Sequence, residues 1–260
     1  PVVPDAAAAA ASDLGAEDGG RAEKAPAAPA TGELVLDPNA LASDDHDYVT
    51  VSSLKMSRTH RFVGYTYSSD APGSGDSVVG GDGTFDICVR DIDTRAEYKA
   101  VVKGVCNFDW AYDAATGTDV LYFTRPDRRG RSSRVFRRRF APPPVTTVAA
   151  AAAGAGLAEE DIEECLFEEH DDAFFVNVLV TKDRRYISVS ANSKTSSEIW
   201  VASADAAGAP LVCLATRAPG VQYFCDHAGD RFYAVTNHGD SPVYRLFEIL
   251  DSDLKSRMDG

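Results

Sequence analysis

Short runs of β-branched and aromatic residues, in places alternating with polar ones, recur between polar turns along residues 49–250, the pattern of β-strands rather than of helices. The pattern is cleanest over residues 174–205, FFVNVLVTKDRRYISVSANSKTSSEIWVASAD. β-Branched and aromatic residues fill 174–180, a charged turn follows at 182–185, and Tyr186, Ile187 and Val189 then alternate with Ser188 and Ser190. That is the signature of a hairpin. A polar loop at 191–197 leads to a third run at 199–202, and 210–214 supplies a fourth. Four short antiparallel strands in about 40 residues is the size of one propeller blade.

The same unit recurs on either side. Runs at 49–54, 61–67, 85–93 and 98–102 make one copy. A second is made by 105–113 (VCNFDWAYD), 120–124 (VLYFT) and 134–140 (RVFRRRF), with 163–169 (EECLFEE) as its outer strand. After the third copy, runs at 221–226, 229–236 and 244–250 begin a fourth. Arg61-Phe62, Val120-Leu121, Arg185-Tyr186 and Arg231-Phe232 each start the second strand of a unit, so the turns match in kind. Two inserts interrupt the series: 68–84, dense in Gly, Ser and Asp, and 141–158, rich in Ala and Pro; both read as loops. The predicted fold class is all-β, a partial β-propeller of about four four-stranded antiparallel blades over residues 33–250. Residues 1–32 have almost no large apolar side chain to offset ordering entropy and are expected to be a disordered tail. Residues 251–260 read as a truncated tail, and the opening Pro1 as the start of a fragment.

Composition narrows the function classes. At 260 residues and 44% hydrophobic content the chain can bury a core, and no run approaches the ~18 apolar residues of a membrane span, so no membrane partner is expected. A net charge of -14 repels nucleic acid. The basic cluster Arg125, Arg128, Arg129, Arg131, Arg134, Arg137, Arg138 and Arg139 interleaves with Val135, Phe136 and Phe140 as a solvated strand face does, and it lacks a stacking motif. No nucleic-acid partner follows from it. Cys88, Cys106, Cys165, Cys213 and Cys225 are odd in number with no CxxC pair, which points to a reducing, cytoplasmic setting with each thiol a small buried hydrophobe. Cys225, Asp226 and His227 resemble half a metal site with no second half at a recognisable spacing, so no metal and no cofactor are expected. The glycines of 68–84 fit neither phosphate-loop spacing.

Taken together, LVLDPNALASDDHDYVTVSSLKMS, the basic third strand RVFRRRF, the 174–205 stretch and GVQYFCDHAGDRFYAVTN resemble the N-terminal propeller of the prolyl oligopeptidase family, most nearly its oligopeptidase B branch. The likeness spans most of residues 33–250. It implies a seven-bladed propeller that caps an α/β-hydrolase domain carrying a Ser-Asp-His triad, shields its active site, and admits peptides while excluding folded proteins. The oligopeptidase B branch further implies cleavage after Lys or Arg, hence short basic peptides as substrates.

The triad itself is not in this chain. No GxSxG elbow occurs, and the nearest string, GSGDS at 73–77, has the wrong spacing and lies in an insert. His46, His60, His170, His227 and His238 each neighbour polar residues in turns or strand ends and read as surface histidines. No catalytic residue is assigned. The expected role is that of the propeller portion of a serine-type oligopeptidase, partnered by a hydrolase domain outside this sequence. A stand-alone propeller that binds a protein partner is the alternative. Because a propeller avoids open edges only by closing its ring, four blades alone are expected to expose apolar faces.

Overall fold

The computed structural model describes residues 32–41, 49–68, 84–142, 162–239 and 243–258. The tail expected at 1–32 and both inserts fall almost wholly outside them. Fifteen strands, a 3-10 turn at Pro38–Leu41 and one helix make up the described elements. The strands form four separate antiparallel sheets, each in simple up-and-down order. Sheet one holds β1 (Thr50–Met56), β2 (Phe62–Ser68), β3 (Phe85–Asp91) and β4 (Glu97–Val105). Sheet two holds β5 (Asn107–Asp113), β6 (Thr118–Pro126), β7 (Ser132–Phe140) and β8 (Glu164–Glu168). Sheet three holds β9 (Phe175–Val180), β10 (Tyr186–Asn192), β11 (Ser197–Ser203) and β12 (Val212–Ala215). Sheet four has three strands among the described residues, β13 (Tyr223–Ala228), β14 (Arg231–Thr236) and β15 (Arg245–Leu250). The arrangement is the partial propeller that the alternation predicts.

Each seam between sheets is apolar because the pleat sends alternate residues to opposite faces. Phe62, Ile87 and Val89 of sheet one meet Phe108, Trp110, Leu121, Phe123 and Phe140 of sheet two. Gly64 makes this seam possible: a Cβ there would lie 2.8 Å from the Phe108 ring and 2.9 Å from Trp110 Nε1. Trp110 cannot yield easily, since its indole N–H donates to the Lys55 carbonyl at 3.0 Å. Across the next seam, Ala111, Val120, Tyr122 and Val135 pack on Val176, Val178, Ile187 and Val189. The third seam joins Ile199, Val201, Leu214 and Ala215 to Phe232.

Residues 251–258, read from sequence as a tail, form the helix α1 (Asp251–Met258). Asp251 and Asp253 in its first turn suit the positive end of the helix dipole. Leu254, buried to 3% exposure, anchors it in the third seam. Eight residues, DSDLKSRM, with only two apolar positions leave almost no periodic signal, which is why the pattern does not betray the helix.

The arginines are a second departure. Arg131 is buried rather than solvated, and it donates to the carbonyls of Asp171 and Phe174 at 2.7 Å each and of Glu169 at 3.0 Å, pinning the β8–β9 connection. Arg137 reaches the Ala209 carbonyl at 3.2 Å and Arg138 the Val101 carbonyl at 2.8 Å, one in sheet three's outer loop and one in sheet one. Arg125 pairs with Glu163, Arg137 with Glu164 and Arg129 with Asp172. The strand alternation does send these side chains to two faces, but each face is a seam, and buried backbone carbonyls there need donors.

Candidate functional site

The turns that join first to second strands are built alike in sheets one and three. Ser57 N–H donates to the Phe62 carbonyl at 2.8 Å, and Thr181 N–H to the Tyr186 carbonyl at 2.9 Å. His60 and Arg184 occupy the matching left-handed positions, at φ of 59° and 60°. Non-glycine residues there carry a cost of ~1 kcal/mol or more that surrounding contacts must over-determine. Those contacts run from turn to turn. Arg58 donates to the Arg184 carbonyl at 2.6 Å, and Arg184 returns a bond to the Ser57 carbonyl at 3.2 Å. Thr59 Oγ1 donates to Asp119 at 2.9 Å, Arg58 pairs with Asp205, and Arg185 donates to the Gly229 carbonyl. The four sheets are thus laced together along one edge.

A second set of links joins the first strands. Asp109 Oδ2 accepts from Lys55 Nζ at 2.9 Å and from the Val180 backbone N–H at 3.0 Å, so one carboxylate bridges three sheets. Asn107 donates to the Asn177 side chain at 2.5 Å and to the Val178 carbonyl at 2.8 Å. Lys182 and Asp226 repeat the Lys55 to Asp109 theme between sheets three and four, at 3.3 Å. Leu54, Phe175 and Leu179 on these same strands stay exposed. The surface is therefore apolar patches set between fixed polar bridges.

His227 is a correction to the sequence reading. It is buried, not superficial, with Nδ1 2.6 Å from Asp183 and Nε2 2.9 Å from Asp251. Tyr186 and Phe232 close over the imidazole, with ring centroids 4.7 and 4.6 Å away. Burial works against the charge on Asp183, yet the hydrogen bonds from His227 and from Thr181 hold its carboxyl below the usual range. Both ring nitrogens face carboxylates, and among the described residues no hydroxyl nucleophile bonds to either. The group is a clamp between sheet three, sheet four and α1, not a triad.

His60, His170 and His238 are exposed, as expected, while His46 and the GSGDS string lie outside the described residues. Cys225 and His227 share one face of β13, Asp226 bonds the turn at Lys182 of sheet three instead, and no cluster of metal-ligating side chains forms among the described residues. Burial raises the Cys88 thiol to about 11 and the Cys225 thiol to about 12, so both stay protonated. Cys165 departs from the expectation of buried thiols: it is exposed on the edge strand β8.

A family described as prolyl oligopeptidase, N-terminal beta-propeller domain, matches residues 19–258. Protease 2 of Moraxella lacunata is 26% identical over 229 residues, covering 88% of this chain and 29% of that protein. Prolyl endopeptidase-like of Gallus gallus is 28% identical over 148 residues, covering 57% and 17%. Among solved structures, oligopeptidase B from Leishmania major aligns with a TM-score of 0.63 at 18% identity, over 86% of this chain and 28% of that one. Oligopeptidase B from Trypanosoma brucei aligns at 0.62 and 19%, over 91% and 29%. The chain spans less than a third of the length of each of these proteins.

Proposed function

The chain belongs to the prolyl oligopeptidase family, within its N-terminal β-propeller domain, and from that premise we propose that it governs peptide access to an α/β-hydrolase domain that lies outside this sequence. The observation that carries this reading is the far face of sheet four. Phe224, Val235 and Leu246 are paired across β13, β14 and β15 in one row, 62%, 37% and 64% exposed. A row of that make-up belongs in a seam and calls for a further sheet to cover it.

The substrates are short peptides, with basic residues favoured. The laced edge of turns keeps the sheets at fixed spacing, and the first strands offer a passing chain apolar patches and held polar groups; a folded domain does not fit between sheets so tied. The arginines are taken up by carboxylates and carbonyls, which supports a role without nucleic acid. No helix among the described residues is long and apolar enough to cross a membrane. Five free thiols agree with a reducing compartment, the cytoplasm.

Two measurements test the proposal. The 260-residue chain alone should not hydrolyse an Arg-containing fluorogenic peptide. In the full-length gene product, Arg184→Ala should cut the lacing between sheets one and three and raise kcat/KM for a long peptide relative to a tripeptide. Turnover by the chain alone, or an unchanged ratio in a folded variant, contradicts the gating role.

A further inference from the structure

Between the first two sheets, on the side of the laced turns, lies a cleft of about 460 Å³. Thr59 and Arg61 from the first turn, Gly117 to Asp119 at the start of β6, and the rings of Phe62, Tyr98 and Phe140 line it. Alternation along β6 puts Asp119 on the face of Leu121 and Phe123, toward sheet one, so a carboxylate stands in an otherwise apolar row. It is 5% exposed. Its Oδ2 accepts from Thr59, while Oδ1 is sealed from solvent with no donor among the described residues. The Tyr98 hydroxyl, on the same cleft, is likewise sealed and without a partner there.

A carboxylate oxygen left this way is costly unless something answers its charge. The cleft's own cation does not do so by contact. Arg61 places Nε and Nη2 at 3.0 and 2.8 Å from one oxygen of Asp91, whose side chain is fully buried, and its guanidinium rests over the Phe62 ring at 4.9 Å. One cation thus serves two carboxylates, Asp91 by hydrogen bonds and Asp119 only through space. The cleft is one positive charge short, and aromatic rings are good neighbours for that charge.

We propose that this cleft is a cation-binding site that takes the alkylammonium or alkylguanidinium group of a Lys or Arg side chain on an extended peptide, with Asp119 as its counter-ion. The terminal torsion of an aspartate is broad, so a turn of the carboxylate brings Oδ1 to an entering N–H. Phe62, Tyr98 and Phe140 flank the alkyl stem, and the Tyr98 hydroxyl gives a second acceptor. Burial raises the Asp119 carboxyl, with the Thr59 hydroxyl and backbone N–H pulling the other way, and an entering cation would favour its charged form. The site stands apart from the gating reading and needs no hydrolase domain.

Saturation-transfer NMR on the 260-residue chain with n-butylguanidinium as probe, and n-butanol as its neutral counterpart, decides the matter. The site predicts saturable binding of the guanidinium and none of the alcohol. Affinity should fall as the medium is made acid enough to protonate Asp119. Asp119→Asn should weaken binding about tenfold or more, the worth of one charge-assisted hydrogen bond, and Tyr98→Phe should weaken it less. Equal binding of butanol, or guanidinium binding that Asp119→Asn leaves intact, overturns the assignment. Should Asp119→Asn not fold, the charge preference and its pH dependence in the unaltered chain decide alone.

Discussion

Two cross-strand rows in this molecule have nearly the same make-up and opposite fates. Val178, Val189 and Trp200 run across β9, β10 and β11 and are packed against sheet two. Phe224, Val235 and Leu246 run across β13, β14 and β15 and face solvent. The first row lies in a seam reinforced by polar pins, Arg131 on three carbonyls and Ser132 on the Val176 carbonyl at 2.6 Å. The second has apolar side chains and no such pins among the described residues. Strand alternation decides which residues share a face; only a neighbouring sheet decides whether the face is buried.

Equivalent cuts on the two sides should have very unequal effects. Ile187→Ala removes a fully buried side chain from the pinned seam and should cost about 2–5 kcal/mol of stability, read from the urea midpoint. Arg131→Met in the same seam keeps the bulk but strands three carbonyls; roughly 3 kcal/mol should be lost, and a neutral result would show that the pins are dispensable.

Acid should act on the buried contacts alone. Asp183 of the His227 clamp and Asp91, which holds Arg61 and the backbone N–H groups of Asp93 and Thr94, both have carboxyls held below the ordinary range against the opposing effect of burial. A depressed carboxyl stabilises above the unfolded value of about 4, and that stability is lost as pH falls through the folded value. Glu97 and Asp119 run the other way, raised by burial, so protonating them relieves the fold rather than harming it. Stability should therefore drop only below about pH 4, and Asp183→Asn should flatten that limb of the urea-midpoint profile. The smallest effect belongs to the open row: Leu246→Ser should change stability by less than about 0.5 kcal/mol, while sedimentation shows less self-association than in the unaltered chain.

How much of this was legible beforehand follows from the same division. The strands were readable because their signal is local: residues 186–190 alternate apolar with Ser, residues 120–124 form a short β-branched and aromatic run, and the two fall within β10 and β6. What lay beyond reach depends on neighbours distant in sequence. His227 reads as a turn residue beside Asp226, and only the meeting of a turn 44 residues earlier with a helix start 24 residues later buries it. The arginines of β7 alternate like a solvated face, yet their targets lie in other sheets. Asp119 offered still less, since an acid at a strand start is ordinary until the cleft beside Tyr98 and Phe140 exists. One signal was available for the turns: Ser57 to Phe62 and Thr181 to Tyr186 match in length and in their hydroxyl-bearing first residue.

The account rests on the far face of sheet four being a docking surface for another sheet, and a single cysteine reports on it. Leu246→Cys should react readily with a bulky maleimide in the 260-residue chain and be protected in the full-length gene product, in both cases after the native thiols have been blocked or replaced. Equal reactivity in the two would mean that nothing covers Phe224, Val235 and Leu246, and the reading of this chain as one arc of a larger propeller would not survive it.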